Sequence, residues 1–135
     1  MKSRVLVVDD DPANRALLVR MLRTAGITRV HQEADGAAVS GAVADFDPQL
    51  ILMDFHLGAV DGLEALEELH DTDPRFEQRA VLLLTGRVET SIRHRAEALG
   101  ARGVVTKPYD LPELLSRIDG LLSETELDDH TLDEG

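Results

Sequence analysis

The chain has 135 residues, 43% of them hydrophobic and 30% charged, the balance of one globular domain large enough to bury a core. It has no cysteine, which excludes disulfides and thiolate metal sites, and 26 acidic against 14 basic side chains give a net charge of −12. Six of the acids (Glu124, Glu126, Asp128, Asp129, Asp133, Glu134) lie in the last fifteen residues, leaving 20 acids against 14 bases elsewhere, so the body repels phosphate backbones and no direct nucleic-acid binding is expected.

The first apolar run, VLVV at 5–8, does not alternate, as suits a strand covered on both faces. It is too short for a signal peptide or a membrane span, so no membrane association and a cytoplasmic location are expected. Asp11 is placed to cap a helix, Pro12 suits its first turn, Leu17, Leu18, Met21, Leu22 and Ala25 recur at helical spacing, and Gly26 suits its end. RVHQEA at 29–34 is polar and alternating, the pattern of an edge strand. A helical stretch at 36–44 leads to LILM at 50–53, a second buried strand, which runs into Asp54. Helical spacing returns at 62–69, AVLLL at 80–84 reads as a strand, and a helix follows at 89–99, closed by Gly100. GVV at 103–105 and a helix at 111–122 complete the series. Five β-α steps imply an α/β fold with right-handed crossovers. Residues 1–122 form the expected domain, and 123–135, SETELDDHTLDEG, read as an acidic, disordered tail or linker. Met21 and Met53 are expected in the core; His31, His70, His94 and His130 are expected at the surface.

Ligands of a parallel α/β sheet bind beyond the carboxyl ends of its strands. Those ends carry Asp9, Asp10 and Asp11, then Asp54, then Thr85-Gly86, and last Thr106-Lys107-Pro108. Asp is also an ordinary turn and cap residue, and that is the main role expected of Asp11. Asp9, Asp10 and Asp54 held together would repel unless a cation neutralised them, and oxygen ligands with room for water suit Mg²⁺. A carboxylate beside such a cation can take a phosphoryl group as an aspartyl phosphate. The charge on the phosphoryl oxygens then needs a fixed cation and a donor, for which Lys107 and Thr85 are available.

In VLVVDDD, LILMD followed by GAVDG, LLLTG and VTKPY, the sequence resembles the receiver domain of two-component response regulators across residues 3–122. Each signature alone is weak; their order and separation are specific. The resemblance implies a flavodoxin-like, doubly wound parallel sheet of order 2-1-3-4-5. It implies Asp54 as phosphoacceptor, Asp10 as direct Mg²⁺ ligand, Asp9 as holder of a metal-bound water, and His56 as donor of a main-chain carbonyl. Mn²⁺ could substitute for Mg²⁺. Thr85 and Lys107 would bind phosphoryl oxygens, with a cis bond between Lys107 and Pro108. It further implies a histidine kinase or histidine phosphotransfer protein as donor and a downstream protein or fused output domain as reader, with phosphorylation-dependent homodimerisation as a further option. Such a chain is not an enzyme beyond its own phosphorylation and dephosphorylation. Whether it stands alone or is part of a longer protein stays open.

Two positions depart from the usual pattern. Leu57-Gly58 replaces Met-Pro, which predicts a more mobile loop, and Val104 stands where an aromatic commonly relays the switch. His56 and Arg87 flank the expected path of a hydrolytic water, which predicts a long-lived phosphoryl group. Arg87, Arg93, His94, Arg95 and Arg102 against Glu89 and Glu97 form a basic stretch that could dock an acidic partner. Among rival readings, a haloacid-dehalogenase-type phosphatase lacks its second acid, since His56 holds that position. A flavodoxin phosphate loop does not fit VVDDDPAN. A degenerate receiver serving only as a binding module would not need Thr85 and Lys107.

Overall fold

The computed structural model describes residues 3–86 and 89–125. Strands β1 (Arg4–Val8), β2 (Arg29–Glu33), β3 (Leu50–Asp54), β4 (Ala80–Thr85) and β5 (Gly103–Thr106) form one parallel sheet of order β2-β1-β3-β4-β5, as expected. Every residue of β1, β3 and β4 is buried, which explains why their apolar runs lack alternation. β2, at the edge, has no fully buried residue and accepts the polar residues that a central strand could not.

Within each central strand the pleat sorts side chains between two cores. Leu6, Val8, Ile51, Met53, Val81 and Leu83 pack with α2 (Val39–Phe46), α3 (Gly62–Thr72) and α4 (Thr90–Ala98) on one face. Val5, Val7, Leu50, Leu52, Leu82 and Leu84 pack with α1 (Pro12–Thr24) and α5 (Leu111–Glu124) on the other. Met21 and Met53 are core residues, and His31, His70 and His94 are exposed. His130 lies outside the described residues.

Helices α1, α3 and α5 begin at side-chain caps. Asp11 accepts the Ala13 N–H at 3.1 Å, and Asp110 accepts that of Glu113 at 3.2 Å. Asp61 and Glu64 close a reciprocal capping box. Several boundaries differ from expectation, α3 among them, which runs to Thr72 and not 69. Residues 36–38 form a 3₁₀ turn, because Asp35 caps Ala37 locally, and the α-helix runs Val39–Phe46. The last helix continues to Glu124, two residues beyond the expected end, and Leu122 near its C-terminus is buried. The rest of the expected tail, from residue 126, lies outside the described residues.

At the end of the sheet opposite the acidic strand ends, Arg79 and Arg4 are each 3% exposed in their side chains. Arg79 donates to both oxygens of Asp73 at 2.7 and 3.1 Å and to Asp47 Oδ1 at 2.6 Å. Burial opposes its charge, but the bonds to Asp73 and Asp47 outweigh that and hold its pKa above the ordinary value. Sequence reading missed this network, which ties the start of β4 to the loop before β3.

Gly62 brings α3 against the functional end of β3. A Cβ there would lie 2.6 Å from the Asp54 carbonyl oxygen and 2.9 Å from the Phe55 Cα. Because those neighbours are backbone, Gly62→Ala is expected to destabilise the fold by about 1–3 kcal/mol, read by urea unfolding. A loss below about 0.5 kcal/mol would show that the approach relaxes without cost.

Candidate functional site

The carboxyl ends of β1, β3, β4 and β5 open on one rim, and the predicted residues meet there. Asp9, Asp10 and Asp54 each present an oxygen, all within 4.8 Å of one another. Asp9 and Asp54 are buried, and Asp10 is exposed. Lys107 Nζ lies 3.1 Å from Asp54 Oδ2 and 4.0 Å from Asp9 Oδ2, so one ammonium serves both buried acids. Thr85 ends β4 fully buried, and its carbonyl accepts the Lys107 N–H at 2.8 Å, joining the threonine strand to the lysine loop. The Lys107–Pro108 bond is cis, as expected. The His56 N–H approaches Asp54 Oδ1 at 3.3 Å, while its ring meets Phe55 edge-on at a centroid distance of 4.8 Å.

Both departures from the usual pattern have a local structure. Leu57 is 3% exposed and packs in the core, anchoring the loop after Asp54, while Gly58 turns it at φ +82°. Val104, 4% exposed, packs among the core residues beneath α2, α3 and α4. Arg93 is half-buried, while His94 and Arg95 are exposed on α4, and Arg102 reaches Glu124 at 3.9 Å. Arg87 lies outside the described residues.

Three further groups touch the site without having been singled out as functional. Asn14 Nδ2 donates to Asp9 Oδ2 and, at 3.0 Å, to the Tyr109 hydroxyl. Arg15 Nη1 donates to the Asp9 carbonyl at 2.6 Å. The final Tyr of VTKPY was the one available signal for Tyr109; Asn14 looked like any polar residue of a first helical turn.

Burial is the largest influence on Asp54, pushing its carboxyl above the ordinary value of 3.8; the Lys107 hydrogen bond pulls the other way, and Asp9 adds repulsion. For Lys107, burial works against the charge, but the Asp54 bond and the surrounding acids prevail and raise it. Burial also raises the Tyr109 phenol. Three close carboxylates, one exposed for solvent to share, fit a hard cation with oxygen ligands such as Mg²⁺.

A family model for the response regulator receiver domain matches residues 5–119. The chain belongs to the response regulator receiver family. It is 36% identical over 129 residues to the response regulator MprA of Mycobacterium ulcerans, covering 96% of this chain and 54% of that protein. It is 34% identical over 123 residues to the DNA-binding dual master transcriptional regulator RpaA of Synechocystis, covering 91% and 50%. A CheY-like receiver domain protein from Methanospirillum hungatei has the same fold, with a TM-score of 0.82 at 26% identity over 90% of this chain and 94% of that one. The chain thus spans about half the length of the first two relatives. Since one of them is a DNA-binding regulator, the expectation of no nucleic-acid partner is not borne out within the family. Among the described residues, no helix is long and apolar enough to cross a membrane.

With Asp54 raised, the folded protein holds that proton more tightly than the unfolded chain does. This contribution to stability is fully present below 3.8 and is lost as pH rises through the folded value. In chelator at pH 7, Asp54→Asn is therefore expected to melt a few degrees above the wild type, the gap closing as the pH falls toward 3.8. Melting below the wild type throughout would mean that the charge on Asp54 stabilises the fold.

Proposed function

We propose that the chain is a phosphoacceptor receiver of a two-component relay in the cytoplasm, taking a phosphoryl group from a histidine kinase or histidine phosphotransfer protein onto Asp54. The observation that carries this reading is the position of Asp54, with the Lys107 ammonium 3.1 Å away and the oxygens of Asp9 and Asp10 within 4.8 Å. A nucleophile thus stands between a fixed cation and a cation-binding acid group. Asp10 would bind Mg²⁺ directly, Asp9 through a water, and Asp54 and the His56 carbonyl would complete the protein ligands; Mn²⁺ could substitute. The bound cation supplies charge neutralisation among the acids and on the phosphoryl oxygens.

In the transfer, an Asp54 carboxylate oxygen forms the new P–O bond as the P–N bond of phosphohistidine breaks, and the released imidazole takes a proton from solvent. Lys107 and Thr85 would hold the phosphoryl oxygens, and hydrolysis would return Asp54 and inorganic phosphate. His56, next to the acceptor, would hinder that water and lengthen the lifetime. We take residues 1–122 as the receiver unit. Readout would pass from Thr85 through Gly86 into the basic face of α4, without an aromatic at Val104. Its recipient is a downstream protein, a second copy of the chain, or an output domain in a longer protein. Any DNA contact would belong to that output portion, given the acidity of this one.

Incubation with a phosphohistidine donor and Mg²⁺ is expected to label the wild type in an acid-labile linkage that base also cleaves, as an acyl phosphate is, and Asp54→Asn is expected to lose that label while remaining folded. Labelling of the variant at wild-type level would move the acceptor elsewhere. Saturating Mg²⁺ is expected to raise the melting temperature, as a ligand of the native state does, and Asp10→Ala to weaken that response at least tenfold in half-saturating concentration. An unchanged half-saturation would remove Asp10 from the metal shell.

A further inference from the structure

Asn14 has no part in the phosphoryl transfer described above, yet its amide joins two elements of the site. One Nδ2 hydrogen goes to Asp9 Oδ2 and the other to the Tyr109 hydroxyl at 3.0 Å, a partner 95 residues away in sequence. The remaining contacts of Asp9 fix its carboxylate closely. Oδ1 accepts the Asp11 N–H at 2.9 Å, Oδ2 lies 4.0 Å from Lys107 Nζ, and Arg15 holds the carbonyl at 2.6 Å. Tyr109, half-buried, immediately precedes Asp110, the residue that caps α5. Hydrogen bonds therefore link the acid group to Tyr109, and the backbone carries the link on to the first turn of α5.

We propose that Asn14 is a positioning residue that couples cation binding at the acid group to Tyr109 and the start of α5. The proposal rests on the reading that this group holds Mg²⁺. A cation sharing the charge of the Asp9 carboxylate weakens the charge-assisted bond from Asn14, and the same amide then changes the strength of its second bond, to Tyr109. Coupling of this kind is reciprocal: whatever the cation does to the Tyr109 bond, that bond does to cation affinity. Tyr109 is the sole tyrosine and the chain has no tryptophan, so its emission reports this contact without labelling.

The test is a double-mutant cycle read by Mg²⁺-dependent melting. Tyr109→Phe removes the accepting hydroxyl and is expected to change half-saturating Mg²⁺ by roughly two- to tenfold, the range of one hydrogen bond. In an Asn14→Ala background the same substitution is expected to change nothing, since the link is already cut. Asn14→Leu, close in volume and without a donor, takes its place if the alanine variant does not fold. In parallel, Mg²⁺ is expected to change the Tyr109 emission saturably in the wild type. In the Asn14 variant that change is expected to fall to less than about a third, while melting still responds to Mg²⁺. Equal effects of Tyr109→Phe in both backgrounds, or an undiminished emission change in the Asn14 variant, overturn the coupling alone. A wild type whose melting ignores Mg²⁺ overturns both the coupling and the cation reading.

Discussion

A carboxylate at the end of a fully buried strand must be compensated, and most of the site follows from how Asp54 is compensated. Burial alone drives Asp54 toward its neutral form, which is a poor nucleophile. Lys107, at 3.1 Å, opposes that drive, and it is held there because its own N–H is tied to the Thr85 carbonyl at the end of β4. The lysine is thus located by the sheet and not by a flexible loop. Asp9 works in the opposite sense, adding repulsion that Lys107 offsets only in part. The net balance of these charges favours added positive charge at the site.

The fold was largely legible because each of its constraints leaves a local mark. Strands buried on both faces cannot alternate, so VLVV, LILM and AVLLL announce themselves, and the edge position of β2 shows in its polar residues. The acid cluster was legible because strand direction sends every carboxyl end to one rim. Pairings between residues distant in sequence were not. Nothing local marks Arg79 and Arg4 as buried, since their partners Asp47 and Asp73 come from segments that only the folded sheet brings together. Asn14 and Tyr109 are the same case within the site.

The two departures from the usual pattern also show where local reading ends. Gly58 lacks the rigid ring of the usual proline, which is why the sequence predicts a mobile loop. The Leu57 side chain beside it is buried in the core, a contact invisible without the tertiary structure. Val104 fills its place among the aliphatic residues of one core, so a large aromatic motion has no counterpart there.

The molecule places opposite kinds of charge arrangement at its two poles. At one, like charges crowd together with a single ammonium between them. At the other, Arg4, Arg75 and Arg79 interlock with Asp47 and Asp73. Ionic strength therefore acts on them with opposite sign. Screening relieves repulsion at the functional rim and loosens the more exposed links of the far network, such as Arg75 with Asp47 at 2.7 Å, where Arg75 is 46% exposed.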